Sequence, residues 1–241
     1  MRIFAKTDTG KVRSINQDAY AANVLSDGCA FVVVCDGMGG ASAGDIASKT
    51  AIEVISQYIL NGYNPKMTSD DIQRLLDNAI ASANIEVYSL AQKDQQLQGM
   101  GTTVVTAVVS ETQAVICNVG DSRAYLINDE IAQITRDHTM VQSLVELGKL
   151  SEEEAKNHPE KNIITRALGV EENILTDSYF IDITKEDKLL LCTDGLTNYA
   201  SEDKILNIIQ KNVLDKVSGL LIDEANNGGG RDNVTVAVVS H

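Results

Sequence analysis

The 241-residue chain carries 34 acidic and 20 basic side chains, for a formal net charge of −14. No basic stripe is available to neutralise phosphates, which excludes nucleic acid as a partner and argues equally against an anionic membrane surface. At 44% hydrophobic residues the chain can bury a core, and with no Trp and 4% aromatics that core must rest on Val, Ile, Leu and Ala.

The N-terminal "MRIFAKTDTGKVRS" has no apolar leader, and no stretch is long and apolar enough to span a bilayer, so a cytosolic protein is expected. Strands are predicted over Ala19 to Leu25 and Phe31 to Cys35, the second apolar on both faces as in a strand covered from both sides. From Ala43 to about Tyr58 the apolar residues recur at helical spacing, and Gly62 and Pro65 end that helix. Ser69 is the expected cap of a second helix with an acidic first turn.

Strands follow at Thr102 to Val109, Ala114 to Val119, Arg123 to Ile127 and Ile131 to Ile134, with links too short for anything but antiparallel hairpins. Residues 139–170 read as one or two short helices and a loop, with a capping box between Ser151 and Glu154. "DKLLLCTDG" is another strand. Helices near Ser201 and from Leu214 to Ala225 follow it, and "NNGGGRDN" turns into a last strand, "VTVAVV". Helices segregated from antiparallel strands make the chain α+β, with two sheets and helices outside. One domain over 1–241 is expected. The four cysteines, Cys29, Cys35, Cys117 and Cys192, lie in apolar runs without C-x-x-C spacing and read as buried free thiols.

One pattern repeats along the chain. Asp36, Asp121, Asp194 and Asp232 each sit where a stiff strand meets a flexible turn, and Asp18 opens another strand. A single Asp-Gly at a strand end is ordinarily a turn. Strand ends converging from neighbouring sheets would instead crowd the carboxylates, and two charges 4 Å apart repel by about 4 kcal/mol at an effective dielectric near 20. Protons or cations must then neutralise them, and an all-oxygen set selects Mg2+ or Mn2+ before Zn2+. Two such ions can bridge a water, make it a nucleophile and polarise a phosphoryl oxygen. Gly37 leaves a backbone carbonyl free to face a metal. Arg13 offers a planar fork for phosphate oxygens. His138, His158 and His241 have no zinc-like spacing, His138 reads as structural, and Cys192 reads as a packed thiol.

"RSINQD", "DGMGG", "GMGTTVV", "GDSRAY", "TRDHTMV", "NIITRALG", "CTDGL" and "RDNVTV" occur in this order. Together they resemble the metal-dependent Ser/Thr protein phosphatases, the PPM or type 2C class, in their compact bacterial form, from about Lys6 to Val239. The resemblance implies a four-layer α-β-β-α sandwich with a binuclear Mn2+ or Mg2+ centre at one end. It implies that Asp36 bridges both ions with the Gly37 carbonyl on one, and that Asp194 and Asp232 hold the other. Asp18 would hold its ion directly or through water, and Asp121 with Asp194 matches a third-metal position. Arg13 matches the phosphate-binding arginine, and residues from about 142 to 168 match a flap beside the active site. The implied reaction is hydrolysis of phosphoserine and phosphothreonine monoesters by a metal-bridged hydroxide, in line and without a phosphoenzyme. The implied partners are phosphorylated proteins, substrates of a cognate Ser/Thr kinase, met by a monomer. One departure stands out: many relatives read D-G-H-G-G, and this chain has Met38 where their proton-donating histidine lies. A partner-binding pseudo-phosphatase and a small-molecule phosphatase are the rival readings. The first would have lost metal ligands and none is missing; the second shares the same site.

Overall fold

The computed structural model describes residues 1–40 and 43–241. Its strands are β1 (Arg2–Asp8), β2 (Asp18–Val24), β3 (Ala30–Met38), β4 (Gly101–Thr102), β5 (Val104–Val109), β6 (Gln113–Val119), β7 (Arg123–Ile127), β8 (Ile131–Gln133), β9 (Asp177–Asp182), β10 (Lys188–Cys192) and β11 (Val234–Ser240). Its helices are α1 (Ala43–Gly62), α2 (Ser69–Lys93), α3 (Met140–Glu146), α4 (Glu152–Lys156), α5 (Asp194–Thr197), α6 (Glu202–Lys211) and α7 (Leu214–Asn227). Every strand pairing is antiparallel. One sheet runs β1-β11-β10-β7-β8; the other runs β2-β3-β5-β6-β9, with β4 on β3.

The period-2 alternation of the strands builds the layers. In β3, Phe31, Val33 and Cys35 face α1 and α2, while Ala30, Val32 and Val34 face the other sheet. In β11, Val234, Val236 and Val238 pack under α5, α6 and α7, while Ala237 and Val239 meet the inner face of the sheet that holds β3. The result is helices, sheet, sheet, helices: the expected α-β-β-α sandwich with three apolar layers.

Several boundaries differ from expectation. The long strand expected from Thr102 breaks at Thr103, whose N–H bonds the Asp36 carbonyl and whose hydroxyl accepts from the Asp36 N–H. Thr68, not Ser69, caps α2: its hydroxyl accepts from Asp71 N–H while Asp71 reaches back to the cap's own N–H. Strands β1, β9 and the short α5 were not legible beforehand. Cys29 is only half-buried, unlike the other three thiols. Gly39 and Gly40 of "DGMGG", glycines that suit a tight turn into the helix from Ala43, lead into residues 41–42, which lie outside the described residues.

Candidate metal centre

Asp36 continues the inner-face parity of Ala30, Val32 and Val34, so its carboxylate emerges at the end of the layer between the sheets. Its backbone is locked on both sides: the N–H donates to Thr103 Oγ1 at 3.0 Å, and the carbonyl accepts from Thr103 N–H and Thr102 Oγ1. Gly37 then meets the first turn of α1. A Cβ there would lie 2.1 Å from the Gly44 carbonyl oxygen and 2.6 Å from that of Gln17, so backbone crowding demands glycine here. This reason is additional to the free carbonyl anticipated from sequence.

Asp18 stands directly opposite Asp36 in the β2–β3 ladder and is 5% exposed. Its Oδ2 accepts from Thr193 Oγ1 at 2.9 Å and Thr235 Oγ1 at 2.8 Å, whereas Oδ1 is buried with no partner among the described residues. Asp194 opens α5 directly after β10, where Asn198 Nδ2 donates to its Oδ2 at 2.9 Å. Asp232 lies just before β11 and holds Arg13 by a 3.0 Å ion pair. Asp121 follows β6 and is 8% exposed.

Arg13 is placed by Asn233, a residue the sequence reading passed over. Asn233 Nδ2 donates to the carbonyls of Thr9 and Ile15, and its Oδ1 accepts from Gln17 N–H. One buried amide thus sews the arm bearing Arg13 to the start of β11. The "RDN" triplet was the only available signal, and it does not say which way an asparagine faces.

Of the seven expected residues, Arg13, Asp36, Gly37, Asp121, Asp194 and Asp232 line one cleft of about 300 Å³, together with Met38, Asn162 and Ile164. Asp18 lies behind the wall, close enough for its charge to bear on Asp36. Burial, then repulsion between the acids, sets the electrostatics. Asp36 is driven well above the carboxylate range by burial and by Asp18, Asp194, Asp121 and Asp232. Burial pushes Asp18 up to about 7 against the pull of its two threonine bonds. Asp121 rises to about 8 through burial and the charges of Asp194 and Asp137. Asp194 rises to about 6 through burial and Asp232, offset by a hydrogen bond with Asp36. Arg13 gains charge stability from Asp232 first, then Asp36 and Asp194.

The residues fit hard divalent cations. The donor set is all oxygen, Asp18 Oδ1 is a buried acceptor without a donor, and the acids repel one another in the absence of a counter-charge. Among the described residues, no three His, Cys, Asp or Glu side chains close into a ready-made cage. Asp36, Asp121, Asp194 and Asp232 instead line the walls of the cleft.

Other candidates fall away from the cleft. Cys192 packs under α5, α6 and α7, on the opposite face of its strand, with burial pushing its thiol up to about 12. It does not share a face with Asp194, whose side chain leaves from a helix start. His138 is buried outside the cleft lining. Its Nδ1 accepts from Gly120 N–H, which leaves the proton on Nε2, 3.2 Å from Asp177. Burial holds its pKa below the usual value.

Known proteins resemble this chain in sequence and in fold. The family model described as "Protein phosphatase 2C" matches residues 10–215. The serine/threonine phosphatase stp of Listeria innocua is 41% identical, over 97% of this chain and 93% of its own length. The crystal structure of serine/threonine phosphatase Stp1 from Staphylococcus aureus superposes with a TM-score of 0.93 at 36% identity, covering 99% of this chain and 94% of that one. A structure of the catalytic domain of serine threonine protein phosphatase PstP, in complex with 2 manganese ions, superposes at 0.85 and 33% identity over 98% of this chain and 96% of that one. A match spanning nearly the whole chain, in sequence and in fold alike, places it: the protein belongs to the protein phosphatase 2C family.

Proposed function

We propose that this chain is a metal-dependent protein serine/threonine phosphatase that hydrolyses phosphoserine and phosphothreonine monoesters. The observation that carries this reading is the convergence of Asp36, Asp121, Asp194 and Asp232 on one cleft, with Asp18 behind and Arg13 at its rim. Asp36, the Gly37 carbonyl, Asp18, Asp194 and Asp232 would hold two Mn2+ or Mg2+ ions, and Asp121 with Asp194 a third. When bound, such ions activate water as a nucleophile and polarise a phosphoryl oxygen.

The chain's own side chains do the rest. Arg13 keeps most of its donors free while one bonds Asp232, so its fork can take phosphoryl oxygens and set them in line for attack. Among the described residues, no Cys, Ser or His lines the cleft, which accords with direct attack by water rather than a phosphoenzyme. Met38 lines it and carries no proton, so a water molecule, held at the centre or from solvent, would have to protonate the leaving oxygen.

A hollow of about 610 Å³ adjoins the cleft and shares Asp121, Asn162 and Asp194 with it. Residues of α3 and α4 form one wall. This favours a polypeptide over a small metabolite as substrate, with 142–168 acting as a flap over one catalytic domain spanning 1–241. The Arg123–Asp137 pair, with Asp137 also accepting from Gln133, forms part of its floor. Phosphoprotein turnover by a monomer in the cytosol completes the reading. Among the described residues, no helix is long and apolar enough to cross a membrane.

The test is a panel of phosphoserine, phosphothreonine and phosphotyrosine peptides alongside small phosphate esters, with Mn2+, Mg2+ or chelator. The reading expects turnover of the first two peptides, abolished by chelator. Metabolite turnover far above that of every peptide would favour the small-molecule alternative.

A further inference from the structure

Asp18 belongs to one sheet, and the hydroxyls that bind it belong to the other. Thr7 and Thr235 are direct partners in the β1–β11 ladder, and Thr193 follows β10 beside them. All three hydroxyls engage where the apolar layer between the sheets ends. Thr193 and Thr235 are fully buried.

The direction of each hydrogen bond in this group is determined by chemistry. An ionised Asp18 can only accept, so Thr193 and Thr235 donate their single hydroxyl protons to its Oδ2. Thr235, having spent its proton, must accept from Thr7 across 2.7 Å. Thr7 in turn accepts from Asn16 Nδ2 at 2.9 Å, and Asn16 Oδ1 accepts from the backbone N–H of Asp18 at 3.2 Å. The chain of bonds leaves Asp18 at its N–H and returns to its carboxylate. Thr193 is similarly committed, accepting from Thr235 N–H at 3.0 Å while donating to Asp18.

A second observation separates this arrangement from polar filling between sheets. Thr193 occupies the N-cap position of α5, where a threonine hydroxyl ordinarily accepts from the helix's own first N–H groups, yet it makes no such bond. Its hydroxyl is diverted to Asp18. Both donors also crowd onto Oδ2, leaving Oδ1 buried and unpartnered.

We propose that Asn16, Thr7, Thr235 and Thr193 form a directional hydrogen-bond clamp that presents the free Oδ1 of Asp18 to a divalent cation. The clamp also sets the spacing of the metal centre. Asp18 and Asp36 ride on one sheet, Asp194 and Asp232 on strand ends of the other, and these bonds tie the two sheets at that end. The four are positioning residues; none touches substrate. The proposal rests on the reading of Asp18 as a metal ligand, and its test keeps the two apart.

The experiment titrates Mn2+ into metal-free full-length protein by calorimetry for Asp18→Asn, Thr235→Val, Thr193→Val and Thr235→Ser, with thermal stability in chelator measured alongside. Outer-shell partners of a metal ligand contribute on the order of 10–100-fold in affinity, so each valine variant is expected to weaken Mn2+ binding about tenfold or more. Thr235→Ser keeps the hydroxyl and should bind within about threefold of the parent chain, whatever its stability. Valine variants that bind Mn2+ like the parent, beside a weakened Asp18→Asn, would overturn the clamp alone. An Asp18→Asn variant with unchanged affinity would overturn the ligand reading and the clamp with it. Should Thr235→Val fail to fold, Thr193→Val, at a helix cap rather than inside a ladder, carries the same decision.

Discussion

Asp18 and Asp36 face each other across an antiparallel ladder, two acids on directly paired positions of adjacent strands and on the same face of the sheet. Like charges so placed destabilise a sheet. Asp18 is buried and Asp36 half-buried, and the charges of Asp194 and Asp232 bear on both. The fold therefore accommodates a local conflict at the point where its chemistry is expected.

That conflict has a pH signature. The folded-state pKa values of Asp18, Asp121 and Asp194 lie at about 7, 8 and 6, and Asp36 is also raised. The unfolded chain releases these protons near pH 3.9, so between there and pH 8 the folded state binds more protons. Their contribution to stability is therefore greatest at the acid end and is lost as pH rises through the folded values. In chelator, the melting temperature should fall between pH 5.5 and 8. With saturating Mn2+ the fall should vanish or reverse, because metal binding displaces those protons and strengthens with pH. A metal-free melting temperature that rises over this window would contradict the assignment.

Asp36→Asn is expected to separate activity from stability. It removes from the repulsive group an acid that burial and four neighbouring aspartates hold well above the carboxylate range, while keeping its shape. Metal-dependent phosphatase activity should be lost. The metal-free protein at pH 8 should melt higher, by about 2–4 °C for each kcal/mol of repulsion relieved. Full activity in this variant would sink the metal-centre reading.

Asn233→Ala tests how Arg13 is held. It leaves two carbonyls and one N–H without partners, at a cost of about 1–3 kcal/mol for each group that water cannot reach. The arm from Thr9 to Gln17 should loosen, raising KM for phosphopeptide more than it lowers kcat. Arg13→Ala should raise KM without the loss of stability, since its ion pair with Asp232 is half-exposed and contributes little to folding.

Glycine substitutions should split sharply by place. At Gly37 a methyl group would fall 2.1 Å from the Gly44 carbonyl, so Gly37→Ala should fail to accumulate as folded protein or should melt far lower. At Gly219, inside α7, the nearest foreign atom is the tip of Lys6 at 3.9 Å, and Gly219→Ala should stabilise by roughly 0.5–1 kcal/mol. Chemical denaturation of both variants checks the contrast.

Much of this was legible in the chain itself. The strand-to-turn aspartates needed only an apolar run and a glycine, and the sandwich followed from short links between strands. What stayed hidden has physical causes. Strand β1, "RIFAKTD", mixes Lys and Asp into its alternation. Strand β9, "DSYFID", is a half-buried edge strand whose Tyr, Phe and Ile run consecutively and give no period-2 alternation. The spacing of Cys192 and Asp194 would put both on one face of a continuous strand, but β10 ends at Cys192 and α5 starts at Asp194. The threonines around Asp18 could not be read at all. Their meaning depends on the register of β1 with β11 and on how two sheets stack, which no single segment encodes.

The measurement that bears most directly on the central claim is a crystal structure of the Mn2+-loaded protein, with anomalous scattering recorded at the manganese edge. The account predicts anomalous peaks inside the cleft, one contacting Asp36 and the Gly37 carbonyl and another contacting Asp36, Asp194 and Asp232. Manganese absent from the cleft of an active preparation, or bound there without touching Asp36, would contradict it.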